Sequence, residues 1–229
     1  LDVAERIGSF KRVNSLPVTD RAREETVLAE RTAGMQEKRR PLAEGLMAQV
    51  IKSSKQVQRS GLNLYLIGMP DCGKTRMGKR LADSLGMPLV DTDKYIMNRM
   101  KMSIDDIFCE LGEEAFRAME SMVLKEIIKT GGHIVATGGG LPLKNGNDAL
   151  LKNSGFTVFL DRRLEALLGQ DADNRPLLRE GGDVDANVTR LYHERHDGYA
   201  AAADLTVDPD FEYSAERIAL GYSEYCGSL

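Results

Sequence analysis

Leu62-Asn63-Leu64-Tyr65-Leu66-Ile67 runs directly into Gly68-Met69-Pro70-Asp71-Cys72-Gly73-Lys74-Thr75, and this junction of an apolar run with G-x-x-x-x-G-K-T sets the fold class. The order is strand, phosphate loop, helix start. Glycines let the backbone curl so that successive N–H groups face a polyphosphate, the lysine reaches the terminal phosphates, and the threonine hydroxyl ligates magnesium. A Gly-rich turn that happens to end in Lys-Thr is the plainer alternative. The strand before it and the helix after it argue for the phosphate loop.

Beyond the loop, strands and helices alternate. Lys74 to about Leu85 reads as a helix with Met77, Leu81 and Leu85 on one face and Gly86 at its end. Met87-Pro88-Leu89-Val90 is a short strand that delivers Asp91-Thr92-Asp93 to the region where open α/β sheets bind ligands. Strand alternation predicts both carboxylates on one side, one beside Thr75 and its metal, the other facing an acceptor hydroxyl; the plainer role for Asp93 is an N-cap. Ser103-Ile104-Asp105-Asp106 resembles a capping box, and Gly112 opens a longer helix to about Lys129, on which Arg117 and Glu120 are one turn apart, with simple pairing at the surface as their plainer role. His133 to Thr137 is an apolar strand. Gly138-Gly139-Gly140 at its end signals close approach of backbone to a ligand, against the alternative of a flexible loop.

Phe156 to Asp161 is the next strand and Arg163 to Leu168 a short helix. The polar Gly169 to Gly182 stretch contains Asn174-Arg175-Pro176-Leu177-Leu178, as a lid carrying an arginine would. Val184 to Ala203 is helical with Arg195 and Tyr199 one turn apart; Leu205-Thr206-Val207 is a last strand, and a final helix starts near Ser214. Five short strands alternating with helices indicate a parallel sheet covered on both faces. His193 and His196 have a spacing that metals use, but no carboxylate or cysteine cluster accompanies them, and they are read as solvated helix residues.

The 229 residues are 42% hydrophobic and 29% charged, the balance of a water-soluble globular protein. No apolar run approaches a membrane span and no signal peptide opens the sequence, so a cytoplasmic protein is expected, with no membrane partner. Cys72, Cys109 and Cys226 are too few and too irregular for a disulfide framework or a zinc site. Residues 1–60 carry 12 Lys/Arg against 8 Asp/Glu, a net +4, whereas residues 61–229 carry 19 against 27, a net −8. The domain boundary is placed at this shift, near Ser60-Gly61. A basic segment suits nucleic acid, an acidic surface or anionic small molecules, and charge alone does not choose among them.

Residues 1–60 read as helices. Val3, Ile7 and Phe10 share a helix face, Asn14 to Pro17 ends that helix, Asp20 caps a second one to about Thr32, and Pro41 opens a third to about Ser60. On the third, the stripe Met47, Val50, Ile51 continues into Ser54 and Gln58, placing polar groups on a face that should be buried, unless the helix frays into solvent there, which is the plainer reading of the spacing.

Two resemblances follow. Ile7-Gly8 with Lys11, Leu16-Pro17-Val18 before Asp20, Arg23 and Glu24, and then Ser54 and Gln58 resemble the all-helical chorismate mutases over about 55 residues. The resemblance implies that Lys11 and Gln58 bind the ether oxygen of chorismate and that Asp20, Arg23, Glu24 and Ser54 hold its carboxylates and hydroxyl. Small anions rather than nucleic acid are then the expected ligands. The family's long first helix, which builds its intertwined dimer, is almost entirely absent upstream of Leu1. If the chain begins here, weak or missing mutase activity is expected, whereas if the sequence is a portion of a longer protein the site can be complete in the parent. A homodimer through this segment is a candidate assembly.

Residues 61–229 resemble shikimate kinase over their whole length. The phosphate loop, Asp91-Thr92-Asp93, Ser103-Ile104, Ile107-Phe108, Gly112-Glu113, Phe116-Arg117, Glu120, the glycine triplet, Arg175-Pro176-Leu177-Leu178 and Arg195 before Tyr199 arrive in that family's order. The implied fold is a three-layer P-loop kinase sandwich with a five-stranded parallel sheet. The resemblance implies ATP and Mg2+ as cofactors, with Gly68, Asp71, Cys72, Gly73, Lys74, Thr75, Arg76 and Arg175 on ATP and Thr75 and Asp91 on the metal. Asp93, Arg117, Gly138, Gly139, Gly140 and Arg195 would bind shikimate, and Asp93, Lys74 and Arg175 would be catalytic. Leu168 stands where the family usually places an arginine against adenine, and Asp71 where glycine is common. A P-loop kinase for another acceptor such as gluconate, or a non-catalytic kinase-like sensor, remains the alternative at this point.

Overall fold

All five residues of Asn63–Ile67 (β1) are buried, which a strand achieves only at the centre of a sheet with both faces covered. The computed structural model describes residues 7, 21–32, 40–41, 43–48, 50, 61–169 and 183–228; within these, the side chains of residues 21–24, 28, 31 and 228 are excepted. The other strands are Leu89–Asp91 (β2), Ile134–Ala136 (β3), Gly155–Leu160 (β4) and Leu205–Val207 (β5). They form one sheet in the order β2-β3-β1-β4-β5, every pair parallel. Leu64 lies between Ile134 and Phe156, and Leu66 between Ala136 and Val158. The chain leaves β1 toward β2 on one side and returns to β4 on the other, so strand order reverses beside β1. That reversal opens the crevice in which sheets of this kind bind ligands.

Helix Arg21–Thr32 (α1) precedes the sheet, and residues 40–41, 43–48 and 50 are also helical. The remaining helices are Lys74–Leu85 (α2), Thr92–Met100 (α3), Ile104–Thr130 (α4), Asn147–Ser154 (α5), Leu164–Leu167 (α6), Val184–Ala202 (α7) and Ser214–Ser228 (α8). α2 packs with α8, and α5 with α7, giving two helical layers around the sheet. Met77 and Leu81 of α2 are buried, Leu81 completely, so the predicted stripe faces the core.

The chemistry of the helix ends explains the boundaries. α2 stops at Gly86, which takes φ 65° and returns its N–H to Ala82. Ser103 and Asp106 form a reciprocal capping box at the start of α4, and Gly112, at φ 82° and ψ 166°, kinks that helix where the sequence predicted a new start. Asp183 caps α7 by accepting from Ala186 N.

Three expectations need correction. β2 ends at Asp91 and Asp93 lies in the first turn of α3, so helical rather than strand geometry orients the second carboxylate. The cap of α3 is Asp91, whose Oδ1 accepts from Lys94 N at 3.2 Å, and Asp93 is not the cap. On the third N-terminal helix the stripe expected to be buried leaves Val50 60% exposed. Ser54 and Gln58 lie outside the described residues.

Candidate functional site

The phosphate loop leaves β1 at Gly68, where φ is 141° and an added Cβ would lie 2.8 Å from the Leu160 carbonyl and 2.9 Å from Cys72 Sγ. Only glycine fits there. Asp71 takes φ 59°, a left-handed conformation that Asp tolerates and Gly adopts freely, which is the backbone reason that glycine suits this position. Its carbonyl accepts from Arg162 Nη1 at 3.0 Å, and Arg162 Nε is held by Asp210 Oδ2 at 2.9 Å. Gly73 makes the last left-handed turn, at φ 93°, before α2 starts.

Lys74 folds back over this loop: Nζ donates to the Gly68 carbonyl at 2.9 Å and the Met69 carbonyl at 2.6 Å, with Cys72 Sγ 3.7 Å away. Cys72 is itself fully buried, so the loop presents its backbone and not its thiol. Thr75 Oγ1 donates to Asp91 Oδ2 at 2.8 Å. Arg76 lines the mouth of the cavity, and its Nη2 meets Asp210 Oδ1 at 3.2 Å in a largely exposed pair of small energetic weight.

A cavity of about 510 Å3 continues from this loop, past Asp91 and Asp93, to the glycine triplet. Its far wall is ionic. Arg117 is 7% exposed and Glu120 1%; Arg117 Nη1 donates to Glu120 Oε2 at 2.8 Å, while Nε and Nη2 donate to Glu113 Oε1 at 3.1 and 2.9 Å. The Arg117–Glu120 pair therefore forms, but in the interior and not at the surface. Burial works against the Arg117 charge, but the Glu120 and Glu113 carboxylates outweigh it and hold the guanidinium above its ordinary value. Glu120 moves up as well: burial and the Asp93 carboxylate outweigh Arg117 and Arg195 and push it to about 7.

The glycine triplet closes the cavity. A Cβ on Gly138 would lie 2.5 Å from Asp93 Oδ1 and 2.7 Å from Glu120 Oε1; one on Gly140 would run into Arg117; one on Gly139 would lie 3.3 Å from Pro70 and 3.5 Å from Arg195 Nη1. The Gly139 carbonyl accepts from Tyr199 OH at 2.6 Å, and burial pushes that phenol up to about 12, so it stays a donor. Among the described residues no group of three or more His, Cys, Asp or Glu side chains is arranged to hold a metal. His196 lies 3.3 Å from Asp161 and packs on Tyr192 and Phe159, so it is half-buried rather than solvated; His193 is exposed.

Residues 70–221 match the family model for shikimate kinase. The chain belongs to the shikimate kinase family. It is 40% identical over 150 residues to the shikimate kinase of Clostridium beijerinckii, covering 65% of this chain and 86% of that one. It is 38% identical over 165 residues to that of Synechococcus elongatus, covering 69% and 85%. A solved shikimate kinase from Acinetobacter baumannii in complex with shikimate superposes with a TM-score of 0.65 at 31% identity over 73% of this chain and 93% of the other. The Aquifex aeolicus shikimate kinase gives 0.60 at 31% identity, over 73% and 100%. Residues 1–59 match the family model for chorismate mutase type II.

Of the residues singled out by resemblance to shikimate kinase, Asp71, Gly73, Lys74, Thr75, Arg76, Asp91, Asp93, Arg117, Gly138, Gly139, Gly140 and Arg195 all line the one cavity. Gly68 and Cys72 shape the loop from beneath. Arg175 lies outside the described residues, as do Lys11, Asp20, Ser54 and Gln58; Arg23 and Glu24 fall in α1 with side chains outside the description. Glu120 and Arg162 were not named as site residues. Glu120 was detectable, because it falls with Phe116, Val123, Leu124 and Ile127 on the buried stripe of α4, and a carboxylate on such a stripe marks a functional position. Arg162 gives no local signal; only the fold brings it to Asp71.

Proposed function

We propose that residues 61–229 transfer the γ-phosphoryl group of ATP to shikimate, yielding shikimate 3-phosphate and ADP. The observation that carries this reading is the single cavity joining the phosphate loop to Asp93, Arg117 and Arg195. Shikimate is a carboxylate with ring hydroxyls. Two guanidinium groups at the far wall suit the carboxylate, and the bare backbone of Gly138 to Gly140 lets a ring lie close. Asp93 then accepts the proton of the attacking hydroxyl as its oxygen bonds to the γ-phosphorus, the bond to ADP breaks, and the proton ends on the Asp93 carboxylate.

Lys74 exchanges its loop carbonyls for phosphate oxygens, and the loop N–H groups hold the chain of phosphates. The hydrogen-bonded Thr75 hydroxyl and Asp91 carboxylate are hard oxygen donors that fit Mg2+, which when bound neutralises charge on the phosphates. Arg175 is assigned to the transferring group by its place in Arg175-Pro176-Leu177-Leu178. Catalysis here rests on positioning and electrostatics. Asp93→Asn is expected to cut kcat by about 10²-fold or more, about 2.7 kcal/mol, and Arg175→Ala by a similar factor. Near-normal turnover in Asp93→Asn, measured by coupled ADP release, would overturn the assignment.

For residues 1–60 we propose a chorismate-binding segment, with Lys11 and Gln58 on the ether oxygen and Asp20, Arg23, Glu24 and Ser54 on the polar groups. The family match over residues 1–59 supports it. Leu46 and Val50, one turn apart and 61% and 60% exposed, are where a second copy would pack. Loss of chorismate absorbance tests the activity, and sedimentation tests the dimer. A cytoplasmic location fits three cysteines none of which forms a disulfide; among the described residues no helix is long and apolar enough to cross a membrane.

A further inference from the structure

We propose that the far wall of the cavity takes up its carboxylate ligand together with a proton, and that Glu120 is the group that holds this proton. The inference rests on the shikimate reading above and adds a property that reading does not require.

The geometry is a buried carboxylate with one arm occupied. Glu120 Oε2 accepts from Arg117 Nη1 at 2.8 Å, whereas Oε1 is buried and makes no hydrogen bond among the described residues. Oε1 faces Gly138 at the point on which Asp93 Oδ1 also converges. A neutral carboxyl would place a donor at an atom that an ionised one leaves as an unsatisfied acceptor, and burying such an acceptor is costly.

The charges around Glu120 give the direction. Its own helix, α4, contributes Arg117, with Glu113 behind it; α3 contributes Asp93, α7 contributes Arg195, and the loop of residues 138–140 contributes backbone only. Two cations thus face Asp93 and Glu113, and the pocket is neutral when Glu120 is protonated. With Glu120 ionised the same pocket is negative before any anion arrives. An entering carboxylate must also share Arg117, whose three described donor contacts all go to Glu113 and Glu120. Glu113 is half exposed and free to swing out, while Glu120, at 1% exposure, has nowhere to go. Protonation is the change that lowers its hold on Arg117 in place. Its position near pH 7 before ligand binds means that added negative charge draws in a proton under ordinary conditions.

The test is calorimetry of shikimate binding at about pH 7.5 in phosphate, HEPES and Tris, whose ionisation enthalpies differ. The expected result is a buffer-dependent heat corresponding to uptake of roughly half a proton per shikimate, shrinking toward zero near pH 5.5, where Glu120 is already protonated. Glu120→Gln should abolish the buffer dependence, and Glu113→Gln should retain it. Shikimate methyl ester, lacking the charge, should show none with the unmodified chain, which keeps the test decisive if Glu120→Gln folds poorly. The shikimate Kd should rise roughly threefold to tenfold between pH 6 and 8.5. Binding with no buffer dependence at any of these pH values, or equal dependence in Glu120→Gln, overturns the proposal and leaves the kinase reading intact. A complete lack of shikimate binding overturns both.

Discussion

Gly138 has two carboxylate oxygens where a methyl group would otherwise sit, at 2.5 and 2.7 Å from an added Cβ. Gly138→Ala must therefore displace Asp93 or Glu120, and a misplacement of about 1 Å costs on the order of 10²-fold in rate. We expect kcat/KM for shikimate to fall by about that factor while KM for ATP changes little; a loss on the ATP side alone would contradict this geometry. Asp71 is the opposite case. Its φ of 59° suits glycine better, so Asp71→Gly relieves the backbone and removes a negative charge from the cavity wall. KM for ATP should drop severalfold in steady-state assays, and an unchanged KM would mean that the side chain points away from the phosphates. Individual residues were legible where their type was improbable without a ligand, as for Gly138 to Gly140. Glu120 is hard to single out because a partner at i−3 satisfies a surface rule, although its neighbours on α4 are buried.

Elements are set by their ends. The capping box at Ser103, the left-handed Gly86 and the Asp183 cap fixed three helices close to where spacing predicted them. Helix α5 carried no such mark: it starts after Gly146 with no side-chain cap and is eight residues long. Strand alternation fails across Asp91-Thr92-Asp93 because β2 is only three residues long and the helix takes over at Thr92, so both Thr92 and Asp93 are helical. At the start of β4, a Cβ on Gly155 would collide with the backbone carbonyl of Asn63 in β1, and a backbone oxygen inside a sheet cannot move aside. Gly155→Ala is expected to destabilise the chain by at least about 3 kcal/mol, at the upper end of overpacking costs, read as a fall in the urea midpoint. A change below about 0.5 kcal/mol would mean that β1 and β4 are not paired in this register.

At the scale of the whole molecule, the site is a product of strand order, which no local pattern encodes. Asp93, Arg117, Gly138 and Arg195 come from four segments, and the reversal beside β1 aims all of them at the phosphate loop. Burying Glu120 there has a cost linked to pH. Its carboxyl titrates near 7 in the folded chain against an ordinary 4.5, so between those values the folded chain holds a proton that the unfolded chain has lost. The stability contribution is fully present below about pH 4.5 and is lost as pH rises through about 7. Urea midpoints should fall between about pH 5 and 7.5, and Glu120→Gln should flatten that fall; parallel curves would contradict it. The most direct test of the central claim is ADP release from MgATP by the full chain with shikimate, compared with gluconate and with no acceptor. The expected result is turnover that depends on shikimate alone. ATP binding without shikimate-dependent ADP release, or equal rates with gluconate, would contradict it.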